Sequence, residues 1–215
     1  MLFRSAAIKT RRATLESKQH AETYAKALSE LSRVKTSISD TLDCMVSMKQ
    51  HGIVKEPLMD EATKRDLLNC VNDCGNAIEE RTLAIDTVRL LQSKGDSVLK
   101  QVKVIWKDAS TKYSDGIKGY LSIIGGLSDN PNKAKSLGDR IDCAIAGEPS
   151  IKAIIGLVDD VAEAKRITDA FAINPTIEIF LKRVSSGGAT AVDLTPPVMT
   201  WLIEQNLLDK VKLKF

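Results

Sequence analysis

Residues 24–49 read YAKALSELSRVKTSISDTLDCMVSMK. Within them Tyr24, Leu28, Leu31, Lys35, Ile38, Leu42, Met45 and Lys49 follow in steps of four and three, the a/d spacing of a helix with one buried seam. Lys35 and Lys49 are the polar interruptions. Val34, Val46 and Met48 widen the apolar face beyond a two-strand seam, so contact with more than one neighbour is expected. The stretch belongs to a run from Ser5 to Gln50 that holds no Pro or Gly, which predicts one long helix.

Working outward, Gly52 ends that helix and Pro57 cannot sit in a helix interior, while Asp60 is a competent cap for the next one. From Leu67 the same spacing resumes through Val71, Cys74, Ile78, Arg81, Ile85, Val88, Gln92, Gly95, Leu99, Val102, Trp106, Ala109 and Tyr113. The pattern predicts a second long arm, with a bend at Ser93–Asp96 where Gly95 weakens the helix by about 1 kcal/mol relative to Ala. Two long arms with a short connection fold back most simply as an antiparallel, coiled-coil-like hairpin over residues 1–125. Such a rod cannot cover a wide apolar face alone, so self-association, as a dimer, is expected.

Beyond Tyr120 the elements shorten. Asn130-Pro131, Glu148-Pro149, Asn174-Pro175 and Thr195-Pro196-Pro197 place Pro where a first helical turn tolerates it. They predict helices at 131–146, 149–172, 175–185 and 196–208, a small helical domain over residues 126–215. At the chain end Val211, Leu213 and Phe215 alternate with Lys210, Lys212 and Lys214, the period of a half-buried strand. The expected fold class is therefore all-α, with room for a short C-terminal β element paired with Ala189–Leu194 or offered to a partner.

Composition narrows the function. The 215 residues carry 31 Lys plus Arg against 28 Asp plus Glu, a formal charge of +3, which is far from the basic excess of a protein living on phosphate backbones. The excess gathers at the tip, where Arg4, Lys9, Arg11 and Arg12 precede the first acid, Glu16. That tip reads as the solvated start of a helix, as a basic surface for nucleic acid or an anionic membrane, or as a transit segment. No apolar run approaches the roughly 18 residues that a membrane span needs. With no secretory signal and four irregularly spaced cysteines, the expectation is a cytoplasmic protein.

No catalytic cluster stands out. His20 and His51 both belong to the first helix or its end. Cys44, Cys70, Cys74 and His51 come together on paper in a hairpin, which leaves zinc or a Cys44–Cys70 disulfide as alternatives to buried thiols. The Gly-rich stretches Ser185–Thr190, Gly125-Gly126 and Gly116–Gly119 lack the frame of a phosphate loop, a Rossmann turn or a KH module. No catalytic residue, metal ligand or cofactor is assigned. Trp201, Val211, Leu213 and Phe215 are the candidate partner-binding residues, Trp201 with a core role as its alternative. The sequence thus points to a non-enzymatic, self-associating helical scaffold or adaptor that docks a protein through its C-terminal domain. A nucleic-acid or membrane-surface binder using the basic tip is the alternative.

Overall fold

The computed structural model describes residues 2–127 and 131–211. They form seven α-helices: α1 (Leu2–Gln50), α2 (Glu61–Glu79), α3 (Ile85–Leu127), α4 (Pro131–Ala146), α5 (Ile151–Ala170), α6 (Pro175–Ser185) and α7 (Pro196–Glu204). The all-α class holds, and among the described residues there is no strand. The chain divides into two compact units, Met1–Ile105 and Trp106–Phe215, with the division inside α3.

In the first unit α1 stops where Gly52 enters the left-handed region at φ 68. The Gly52 N–H bonds the Lys49 carbonyl and the Ile53 N–H bonds that of Met48, closing a Schellman cap. Asp60 then caps α2 by accepting the Thr63 N–H at 2.8 Å. Helix α2 returns along α1, and the Tyr24 hydroxyl donates to the Ile78 carbonyl at 3.3 Å. A second Schellman cap follows at once. Arg81 takes φ 57, its N–H bonds Ile78, and the Thr82 N–H bonds Ala77. The chain reverses again, and α3 runs back along α2, with Lys94 Nζ on Asp66 at 2.9 Å and Cys74 Sγ near the Thr87 carbonyl at 4.0 Å.

The second arm is therefore two helices, not one, and the unit is a three-helix up-down-up bundle. The break falls at residues 80–84, and α3 is continuous through Ser93–Asp96, where a bend was expected. The cause of the missed break is local. A left-handed C-terminal cap favours Gly, and Arg81 gives no such signal. Gly95 is a contact point: a Cβ there would stand 2.7 Å from Ile38 Cγ1 of α1.

The core of this unit takes Ala27, Val34, Thr41, Cys44 and Met48 from α1, Leu67, Cys70 and Cys74 from α2, and Val88, Leu91, Val98 and Val102 from α3. On α1 the buried line 27, 34, 41, 48 lies beside the expected a/d line, not on it. At 100° per residue Leu28 and Leu42 fall about 80–120° from the buried centre, and both are 37% exposed.

In the second unit α4 and α5 pack antiparallel, tied by Lys133–Glu163 at 3.1 Å and Arg140–Asp160 at 2.8 Å. Lys118 of α3 pairs with Asp142 of α4. Helices α6 and α7 close a compact core of Ile177, Phe180, Leu181, Val198, Trp201 and Leu202, with Ala189 and Leu207. The Pro-marked starts of α4, α6 and α7 lie where the sequence puts them. Helix α5 begins after Ser150, whose hydroxyl accepts the Ala153 N–H at 3.1 Å, two residues later than expected. Helix α7 ends at Glu204 instead of residue 208, because Asn206 turns left-handed at φ 55 and Leu207 bonds back to Leu202. Val211 has no regular structure, and Leu213 and Phe215 of the expected strand lie outside the described residues.

Two stability predictions follow from these turns. Arg81→Gly removes the strain of a left-handed L-residue and stabilises the protein by about 0.5–1 kcal/mol in urea unfolding. Gly95→Ala gains helix propensity but collides with Ile38. The overpacking, about 1–3 kcal/mol, outweighs the propensity gain of about 1 kcal/mol. Net destabilisation is expected, and in an Ile38→Ala background the same change becomes neutral or stabilising.

Candidate functional site

The residues singled out in the sequence do not converge. Trp201 is 4% exposed, and its indole N–H donates to the Phe171 carbonyl at 2.5 Å, so its ring sits in the α6–α7 core. Val211 is half-buried against that core. Of the basic tip, Arg12 is exposed and donates to Glu16 at 2.9 Å one turn on. The side chains of Arg4, Lys9 and Arg11 lie outside the described residues.

Cys44, Cys70 and Cys74 are buried in the first unit, and no disulfide joins any of the four cysteines. Burial pushes the Cys74 thiol up from its ordinary value, as expected of a thiol that fills space and stays protonated. Among the described residues no group of three or more His, Cys, Asp or Glu is placed to hold a metal. No described helix is long and apolar enough to cross a membrane.

What the fold does bring together is apolar. Helix α1 leaves Leu28, Leu42 and Val46 between 37% and 52% exposed. Helix α2 leaves Leu68, Val71 and Ile78 between 37% and 56% exposed. Successive side chains turn 100° on a helix, so each set falls on a single flank. The Tyr24 hydroxyl bond to the Ile78 carbonyl brings the side of α1 that also carries Leu28 and Leu42 to the C-terminal end of α2. The two sets lie on adjoining helices of the first unit. Sequence reading caught the apolar width of α1 but not the partner flank of α2, whose signal was the surplus of Leu68 and Val71 beside the buried line Leu67, Cys70, Cys74.

The opposite flank of α1 is different. Where it borders α3 it carries Glu30, Arg33, Ser37 and Asp40 beside Gln92 and Asp96, an ordinary solvated surface of mixed sign. In the second unit the corresponding electrostatic feature is Asp193. One of its oxygens accepts the Thr190 N–H at 2.9 Å and the Thr190 hydroxyl at 3.0 Å, and the other takes Arg183. These bonds, the Thr190 backbone first, hold its carboxyl below the ordinary value against the opposing effect of burial. They pin the turn Ala191–Asp193 that carries the 88%-exposed Val192.

No family model, curated protein or solved structure matches this chain, so the reading of its surfaces rests on their own chemistry.

A folded-state pKa below the unfolded one adds stability above the carboxylate range, and that stability is lost as pH falls through it. Asp193→Asn is expected to lower stability at neutral pH and to flatten the acid side of the stability–pH curve. Thermal melts of both proteins across the acid range check it.

Proposed function

We propose that the chain is a non-enzymatic helical docking protein, a scaffold or adaptor that takes a protein partner on the uncovered α1/α2 groove of its first unit. One observation carries the reading: six large aliphatic side chains, Leu28, Leu42 and Val46 of α1 and Leu68, Val71 and Ile78 of α2, remain 37–56% exposed, each set on one flank of its helix. Singly scattered apolar residues need no explanation, whereas a contiguous stripe along two helices marks an interaction surface. Covering an exposed Leu or Val completely is worth about 1.5–3 kcal/mol, so finishing six that are already about half covered offers on the order of 5 kcal/mol before association costs. That suits a moderate, regulated contact.

Docking through residues 130–215, the sequence's first expectation, draws less support, because Trp201 is buried and Val211 half-buried. Self-association belongs to the same reading, since a second copy is one candidate cover for the stripe. The cytoplasm is the compartment this reading takes, and buried thiols without a disulfide suit it.

The test compares capture from the native cell by the wild-type chain and by Leu28→Ser/Val71→Ser. Both positions are exposed, so the variant should keep its helicity and a near-native melting temperature. Loss of the captured partners, with the fold intact, supports docking on the groove. Undiminished capture sinks it. Sedimentation of both proteins shows whether a second copy is among those partners.

A further inference from the structure

Helix α1 outruns the bundle it belongs to. The hydrogen bond from Tyr24 to the Ile78 carbonyl sets Tyr24 level with the end of α2, and the chain turns back at residues 80–84. Upstream of Tyr24, α1 continues to Leu2, a helical arm of about 33 Å at 1.5 Å per residue. Every residue from Arg12 to Thr23 is exposed, right round the helix, so no neighbouring helix covers that part of the arm. Its charge changes character along its length. From Glu16 onward the signs alternate through Lys18, Glu22 and Lys26, whereas Arg4, Lys9, Arg11 and Arg12 lie in a stretch without a carboxylate. Arg12 is paired with Glu16 at 2.9 Å, an exposed contact that water screens. The first turn of α1 holds no acidic residue, and Arg4 falls in it, at the positive end of the helix dipole. That placement costs stability for an arm left in water and is relieved when an anionic surface lies against it.

We propose that residues 2–15 of this arm lie on an anionic lipid surface as an interfacial amphipathic helix, tethering the docking unit to a membrane. This attachment is separate from docking on α1 and α2 and stands or falls without it. At 100° per residue Leu2, Phe3, Ala6, Ala7 and Ala13 share one arc of α1 that holds no charged position among residues 2–15. Lys9 and Arg11 fall at its two borders, the positions from which long cationic stems reach headgroups while the arc meets the acyl boundary. Ile8 and Leu15 fall outside the arc, so the apolar face is narrow and the cations supply most of the attraction. Four cations with two large apolar residues make a reversible attachment that needs anionic lipid. Nucleic acid is the weaker occupant. Leu2 and Phe3 gain nothing from a phosphate backbone, and the whole chain carries a formal charge of only +3.

The experiment sediments the full chain, tagged only at its C-terminal end, with vesicles of phosphatidylcholine alone and with vesicles rich in phosphatidylserine, and titrates it separately with a random-sequence duplex DNA. Binding is expected to the phosphatidylserine vesicles, weakening as salt rises, and not to phosphatidylcholine alone. Arg4→Gln/Lys9→Gln/Arg11→Gln/Arg12→Gln should weaken it roughly a hundredfold or more, and Leu2→Ser/Phe3→Ser roughly tenfold. Both sets of changes lie on the arm, outside the bundle, and an unchanged melting temperature shows that the fold is kept. Leu28→Ser/Val71→Ser, which alters the docking flanks, should bind vesicles like the wild type, so the two functions fail separately. No binding to phosphatidylserine vesicles, equal binding to both lipids, or full binding by either arm variant overturns the proposal. So does tighter binding to the duplex than to the vesicles, which would give the arm to nucleic acid.

Discussion

Helix α1 carries apolar side chains over a wider arc than α2 and α3 can cover, and the arrangement of the first unit follows from that mismatch. A helix in a three-helix bundle touches two neighbours, so one flank of it is always left to solvent or to a further helix. On α1 the inward line of Ala27, Val34, Thr41 and Met48 is sealed, whereas Leu28, Leu42 and Val46 stand one step round. Helix α2 has its own surplus in Leu68, Val71 and Ile78. The hydrogen bond from Tyr24 to Ile78 brings the side of α1 that carries Leu28 and Leu42 against the end of α2.

The polar ties of the unit do not compete with this. Asp66 and Lys94 join α2 to α3 at 2.9 Å, each side chain 40–48% exposed, and an exposed pair of this kind fixes register more than it adds stability. The hydrogen bond holds the Asp66 carboxyl below its ordinary value and raises Lys94. The stability resides in the buried aliphatic and thiol core, where Met48 and Val102 have no exposed surface at all. Surface changes on the α1/α2 groove are therefore separable from changes that unfold the bundle.

How much of this was legible depends on which signals are covalent and which are tertiary. Helix starts marked by Pro are backbone facts, so Pro131, Pro175 and Pro196 open helices where the sequence puts them. Helix ends were legible where glycine supplies the left-handed residue, as at Gly52 and Gly187, and illegible where Arg81 or Asn206 does. The heptad reading crossed residues 80–84 without noticing the reversal, because two helices that both bury a face on a 3.5-residue spacing can stay in phase across a short turn. On α1 it followed a line none of whose eight positions is fully buried, one step round from the core line. Amphipathic width is written in the chain, but which part of it a neighbour occludes depends on where α2 and α3 come to rest.

That division also bears on the polar interruptions of the α1 spacing. Any amphipathic helix of suitable length can present Leu or Ile to Leu28, Val46 and Val71, so apolar fit alone selects weakly. Lysine does two things at once in such a place. Its methylene stem extends the apolar floor while its ammonium stays at the wet edge. Lys35 and Lys49 interrupt the heptad only if the heptad is read as a core seam. Exposed on the flank of α1 that carries Leu28 and Leu42, they belong to its amphipathic edge.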